Sequence, residues 1–113
     1  MAQYTDNGQL ETIQLKYALA FRKLLEENVK LKERGNAPHN LVTNTNQLAD
    51  AIQRRPATIS EIFNAKAIPN GVTIVLILEG LGKSFEDFAR YFDNFSKAEL
   101  SKFKASLKQA GKK

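Results

Sequence analysis

Two short apolar-periodic stretches meet across a proline between Gln47 and Asn64, and this junction constrains the fold more than any other feature of the chain. In Gln47-Leu48-Ala49-Asp50-Ala51-Ile52 the apolar residues Leu48, Ala49 and Ile52 share one face of a helix, at i, i+1 and i+4. In the run from Ala57 to Asn64, Ile59, Ile62 and Phe63 do the same at i, i+3 and i+4. Only Gln53-Arg54-Arg55 separates them before Pro56, which suits a first helical position because its missing N–H has no partner there. Two helices joined so closely must cross at a steep angle.

The remainder of the chain also reads as helix. From Glu11 to about Glu33 there is neither Pro nor Gly, and Ile13, Tyr17, Ala20, Phe21, Leu24 and Leu31 line one side of a long helix. Leu25, Ala18 and Val29 widen that side, and Leu15 and Leu19 lie beyond it. A surface helix needs an apolar stripe of only about 100°. The excess has two readings: packing against the C-terminal segment, or a dimer contact. Gly35-Asn36-Ala37-Pro38-His39-Asn40 is a loop by composition, extending over about residues 34–44. Leu41-Val42 is expected to tuck back onto the core, and Asn44-x-x-Gln47 has the spacing of a capping box. Val72 to Leu78 has strong strand propensity taken alone, but Pro69 and the N-cap candidate Asn70 in front of it, together with the family that the surrounding segment resembles, favour a buried helix. Ser84-x-x-Asp87 and Ser96-x-x-Glu99 open two further helices. The last runs from Lys97 to about Ala110, with Leu100, Phe103 and Leu107 on one face and Lys97, Lys102, Lys104 and Lys108 around the rest, before Gly111-Lys112-Lys113 frays. The expected layout is all-α: a flexible lead-in over 1–10, five core helices within 11–93, and a basic C-terminal helix and tail over 94–113.

The segment from about Asn46 to Phe88 resembles the lambda-repressor-like (XRE-type) helix-turn-helix family. The resemblance is carried by Leu48-Ala49, Thr58-Ile59-Ser60-x-Ile62, Asn64, Pro69, Leu81-Gly82 and the opening Ser84-Phe85-Glu86-Asp87-Phe88 of the last core helix. It implies a five-helix DNA-binding domain, here with a long N-terminal helix and an extra C-terminal one. Departures are visible. The family's turn glycine is Gln53, which must accept a left-handed conformation or shift the turn. Arg55 stands where a Ser or Thr cap is common. Phe63 and Ala65 replace the Glu and Gly flanking the Asn, and Thr45 replaces the Gln that begins the second helix.

Charge and composition narrow the function. The chain of 113 residues carries 17 basic and 12 acidic side chains, a net +5. The excess is local: residues 35–92 hold five of each sign, whereas residues 93–113 hold six lysines against Asp93 and Glu99. The basic character therefore lies in the tail, and pI alone does not argue for a polyanion partner. The absence of cysteine excludes a disulfide framework and thiolate metal sites. Met1 to Glu11 is polar rather than signal-like, and the apolar run Val72–Leu78 is too short to span a bilayer. A cytoplasmic, non-membrane protein is expected, with no cofactor or metal.

Catalytic chemistry has little support. His39, the sole histidine, sits in a loop with no Cys, Asp or Glu nearby in sequence. Glu26-Glu27 reads as a solvated face, and Glu86-Asp87 as a helix N-terminus that favours negative charge. No enzyme is expected.

Under the resemblance, the helix over 56–64 would enter the DNA major groove by its N-terminal end. The base-contact candidates are then Arg54, Arg55, Ala57, Ser60 and Glu61. Arg55 has the geometry for guanine O6 and N7, Glu61 can accept from cytosine N4, and Ala57 can touch a thymine methyl. Thr45, Thr58, Asn64 and Lys66 match positions the family uses on phosphates. Pro56 and Ala57 carry no donor or acceptor, so specificity would come from the arginines and from DNA shape. Leu15, Leu19, Leu100, Phe103 and Leu107 are the dimer or partner candidates. The expected function is a sequence-specific duplex DNA-binding transcriptional regulator of bacterial or phage type, acting as a homodimer. The alternative is a protein-interaction module, antitoxin-like or adaptor, on the same scaffold, with a protein partner in place of DNA.

Overall fold

In a computed structural model that describes residues 7–111, all regular structure is helical: α1 (Asn7–Glu33), α2 (Thr45–Ala51), α3 (Pro56–Phe63), α4 (Gly71–Leu81), α5 (Phe85–Phe92) and α6 (Lys97–Gly111). At 1.5 Å per residue the 27 residues of α1 extend about 40 Å, close to the 45 Å long dimension of the molecule. The other helices gather around this axis, with α3, α4, α5 and α6 packing on α1 and with α2 lodged against α3 and α4. The helix starts earlier than its composition suggests. Residues 7–10 belong to α1 rather than to a lead-in, with the Thr12 hydroxyl donating to the Gly8 carbonyl one turn back. Residues 1–6, the remainder of the expected lead-in, and Lys112-Lys113, expected to fray, lie outside the described residues, whereas Gly111 is still helical.

The broad apolar side of α1 serves two cores. Ala20, Phe21 and Leu24 join Val42, Leu48, Ala49, Ile52, Ile59, Ile62, Phe63, Ile77, Leu78, Leu81 and Phe88 in the main one. Leu15 and Ala18 join Leu100 and Phe103 in a second, bordered by Leu19, Ala65, Phe95 and Leu107. Of the two readings of the excess apolar surface, packing against the C-terminal segment is the one seen: of the dimer or partner candidates, Leu15, Leu100 and Phe103 are buried together within this chain, and Leu19 and Leu107 border them half-buried. Two amphipathic helices of a single chain cover each other without the translational and rotational loss of forming a complex.

Four helices end in the same way. After α1, α2, α3 and α4 the residue in the left-handed region is Gly35 (φ 76°), Gln53 (φ 56°), Ala65 (φ 61°) and Gly82 (φ 72°). In each case its N–H bonds back three residues and the next N–H bonds back five, as in Ala65 to Ile62 and Lys66 to Glu61. These are Schellman closures. Two of them use glycine; the two that flank α3 do not.

Helix starts follow the sequence closely. Asn70 accepts from the Thr73 N–H at 2.9 Å, and the strand-prone run behind it is helical, burying Thr73, Ile77, Leu78 and Leu81. Ser84 and Asp87 form a full capping box, as do Ser96 and Glu99. At α2 the Asn44 side chain accepts from Gln47 N–H, but the Gln47 amide oxygen reaches past Asn44 to the Thr43 N–H at 2.8 Å. Pro56 opens α3 behind Arg55, which makes no side-chain cap.

Three residues hold the layers together, one of them by lacking a side chain. A Cβ on Gly80 would lie 2.7 Å from Leu48 Cδ1 and 2.8 Å from Ile52 Cγ2, so Gly80 permits α2 to seat on α4, and it is Gly82 that closes the helix. The buried Asn28 donates to the carbonyls of Val42 (2.9 Å) and Leu81 (3.1 Å), pinning the 34–44 loop and the end of α4 to α1. Glu27 receives Lys83 Nζ at 2.8 Å on one oxygen and the Tyr91 hydroxyl on the other. Burial works against the Glu27 carboxylate, but those two hydrogen bonds outweigh it and hold its pKa below the usual value. The same hydrogen bond, with burial, pushes Tyr91 up to about 12.

Candidate nucleic-acid interface

α3 buries one side and offers the other. Ile59, Ile62 and Phe63 are sealed in the main core, with the Phe21 and Phe63 rings stacked 5.8 Å apart. Ala57, Ser60 and Glu61, at i, i+3 and i+4, are all exposed and share the outward face. Arg54 and Arg55 lie just before its first turn and are exposed too. All five base-contact candidates are thus exposed, three on the outward face of α3 and two just before its first turn.

That placement follows from backbone geometry. Gln53 adopts the left-handed conformation that glycine takes most readily, turning the chain into Arg54 and Arg55. Arg55 is extended (φ −65°, ψ 136°), as a residue preceding proline prefers to be. Among the described residues, Arg54, Arg55, Glu61 and Lys66 have no ion-pair partner. Two unpaired guanidiniums at the entrance of a short helix are available to anions and to the acceptor edge of guanine.

The phosphate candidates divide. Lys66 is exposed directly after α3, and Thr58 and Thr45 are half-buried in the first turns of α3 and α2. Asn64 is committed within the chain: its Oδ1 accepts from Arg22 Nη2 at 2.6 Å and its Nδ2 donates to Ser60 Oγ at 3.1 Å. Arg22 also donates through Nε to the Phe63 carbonyl at 2.7 Å, satisfying one of the orphan acceptors at the end of α3. Its guanidinium lies over the Phe103 ring, 5.2 Å from the centroid, and burial lowers its pKa. Sequence reasoning missed Arg22, because an arginine beside an apolar stripe looks like any solvated helix cation. It missed Asn28 as well, although an amide four residues after Leu24 in that stripe was a readable signal.

No group of three or more His, Cys, Asp or Glu able to hold a metal occurs among the described residues, and none of the described helices is long and apolar enough to cross a membrane. His39 is exposed in the loop after α1.

No family model, curated protein or solved structure matches this chain.

Proposed function

We propose that this chain is a sequence-specific duplex DNA-binding regulator of transcription, of bacterial or phage type. In this reading α2, the turn at Gln53 and α3 form a lambda-repressor-like helix-turn-helix, with α1, α4 and α5 completing the five-helix domain and α6 appended. The carrying observation is the outward surface of Arg54, Arg55, Ala57, Ser60 and Glu61, with both arginines unpaired. The N-terminal end of α3 enters the major groove. Arg55 reads guanine, Glu61 reads cytosine, and Lys66 and Thr58 lie along phosphates. The protein acts in the cytoplasm as a homodimer on two half-sites about one helical turn apart, since one small unit reads too few base pairs. With Leu15, Leu100 and Phe103 spent inside the chain, the exposed large apolar side chains left among the described residues to support self-association are Leu10, Ile68, Val72, Val75 and Phe85. No catalysis, cofactor or metal enters this reading.

The test is selection of bound duplexes from a random library, followed by affinity at two salt concentrations. A palindromic site whose affinity falls steeply with salt is the expected result. Arg55→Ala should weaken binding to that site by about 1–3 kcal/mol and relax the choice at one position; unchanged affinity and preference remove Arg55 from the interface. The alternative, a protein-interaction module, is favoured by one observation, the 63% exposure of Val72 beside Ile68 and Val75. It takes over if the selection enriches no motif at either salt.

A further inference from the structure

We propose that Arg22 is a positioning residue that makes the outward face of α3 depend on the docking of α6. Its consequence for DNA rests on the function proposed above; the coupling itself does not. The structural chain is continuous. Phe103 of α6 covers the Arg22 guanidinium, Arg22 holds the Phe63 carbonyl and the Asn64 amide oxygen, and the Asn64 amide nitrogen holds Ser60 Oγ. Ser60 stands in the middle of the outward face. A contact made by the C-terminal helix is thus relayed in three steps to a residue proposed to meet a base.

Two further features make the end of α3 sensitive to this relay. Ala65, immediately after Asn64, is held in the left-handed region that disfavours a Cβ. Its neighbours are the residues of the second core, the one built between α1 and α6. With α6 undocked, Ala65 would lose that packing and Arg22 its aromatic cover, so the strained closure would have less to hold it. α3 is also only eight residues long, so a tilt at its C-terminal end is carried to Arg55 and Ala57 within two turns. The planar fork of arginine matters here, because lysine has the charge but only one nitrogen, where Arg22 places Nε and Nη2 on two acceptors at once.

The experiment uses the full chain with Arg22→Lys, Phe103→Ala and Phe103→Leu, the last keeping apolar volume should alanine loosen the whole fold. Hydrogen exchange of the Asn64, Ala65 and Lys66 amides is compared with that of Ile52 and Ile74 in α2 and α4. The coupling predicts roughly tenfold or faster exchange at residues 64–66 in all three variants, with the reference amides unchanged. On the selected duplex, each variant should bind about 5- to 50-fold more weakly with the salt slope retained, since Arg22 touches no phosphate. Unchanged exchange at residues 64–66 overturns the proposal. A salt slope reduced by about one in a further variant, the charge-removing Arg22→Gln, overturns it too, because Arg22 would then be a phosphate contact. If no duplex is selected by the wild type, the DNA reading has failed and the exchange result alone decides the coupling.

Discussion

Replacing Gln53 with glycine tests whether the turn before α3 is strained, and Ala65→Gly supplies its control. Both residues close a helix in the left-handed region, at φ 56° and 61°, where a non-glycine residue costs about 1–2 kcal/mol. Glycine removes that cost but adds unfolded-state freedom worth about 0.4–1 kcal/mol. Gln53 is exposed and its side chain makes no hydrogen bond among the described residues, so little else changes and the net gain is about 0.5–1 kcal/mol. For a chain of this size that raises Tm by roughly 3–6 °C. Ala65 differs because its methyl packs against the second core, and losing a buried group of that size costs about 0.8 kcal/mol. Its net change should be near zero. Urea unfolding followed by circular dichroism measures both, with equal m-values confirming that only stability moved. A neutral or destabilised Gln53→Gly refutes the strain argument. Equal gains from both variants would mean that the Ala65 methyl contributes nothing to packing.

Other perturbations have equally definite outcomes. Gly80→Ala drives a Cβ into Leu48 and Ile52 at 2.7 and 2.8 Å and should destabilise by about 1–3 kcal/mol in spite of alanine's better helix propensity; a more stable variant in thermal melts would show that α2 can simply move away. Asn28→Ala strips two buried carbonyls of their donor and should cost about 2–4 kcal/mol, seen as a lowered urea midpoint; a loss under 1 kcal/mol would show that the loop is not held there. The Glu27 pKa lies below its ordinary value, so its contribution is full above the unfolded carboxylate value of about 4.3 and is lost as pH falls through the folded one. Tyr91→Phe removes one of the bonds that lower it, so the stability gap between wild type and variant should be open at pH 7 and shrink at pH 3. Tyr91 itself, raised to about 12, stabilises the fold below its unfolded value of about 10, and that contribution is lost as pH climbs through 12. A gap of constant size across pH would contradict the Glu27 assignment.

Much of the helical layout was legible because helix starts are local events. Asn70, Ser84 and Ser96 each bond to an N–H three residues on, and Pro56 occupies the one turn where its missing donor has no consequence. The three outward residues of α3 were legible for a related reason: the 3.6-residue period that buries Ile59, Ile62 and Phe63 necessarily turns Ala57, Ser60 and Glu61 away. The start of α1 was not, since Asn7 to Leu10 is polar and carries no strong cap signal.

Periodicity and capping thus determined by themselves that this chain is helical, where most helices begin, and which side of α3 is left outside. Only the tertiary structure decided what each apolar stripe meets. The sequence shows that α1 is apolar over more than one core requires, but not that Leu15 and Ala18 find Leu100 and Phe103 rather than a second chain. It shows a glycine in α4, but not that Leu48 and Ile52 need the space. It shows an arginine at residue 22, but not that α3 ends within its reach, 41 residues further along the chain. The physical reason is range. Caps and helical faces are set by neighbours within about four residues, whereas packing partners and the relay through Arg22 depend on approaches that exist only once the whole chain has closed around α1.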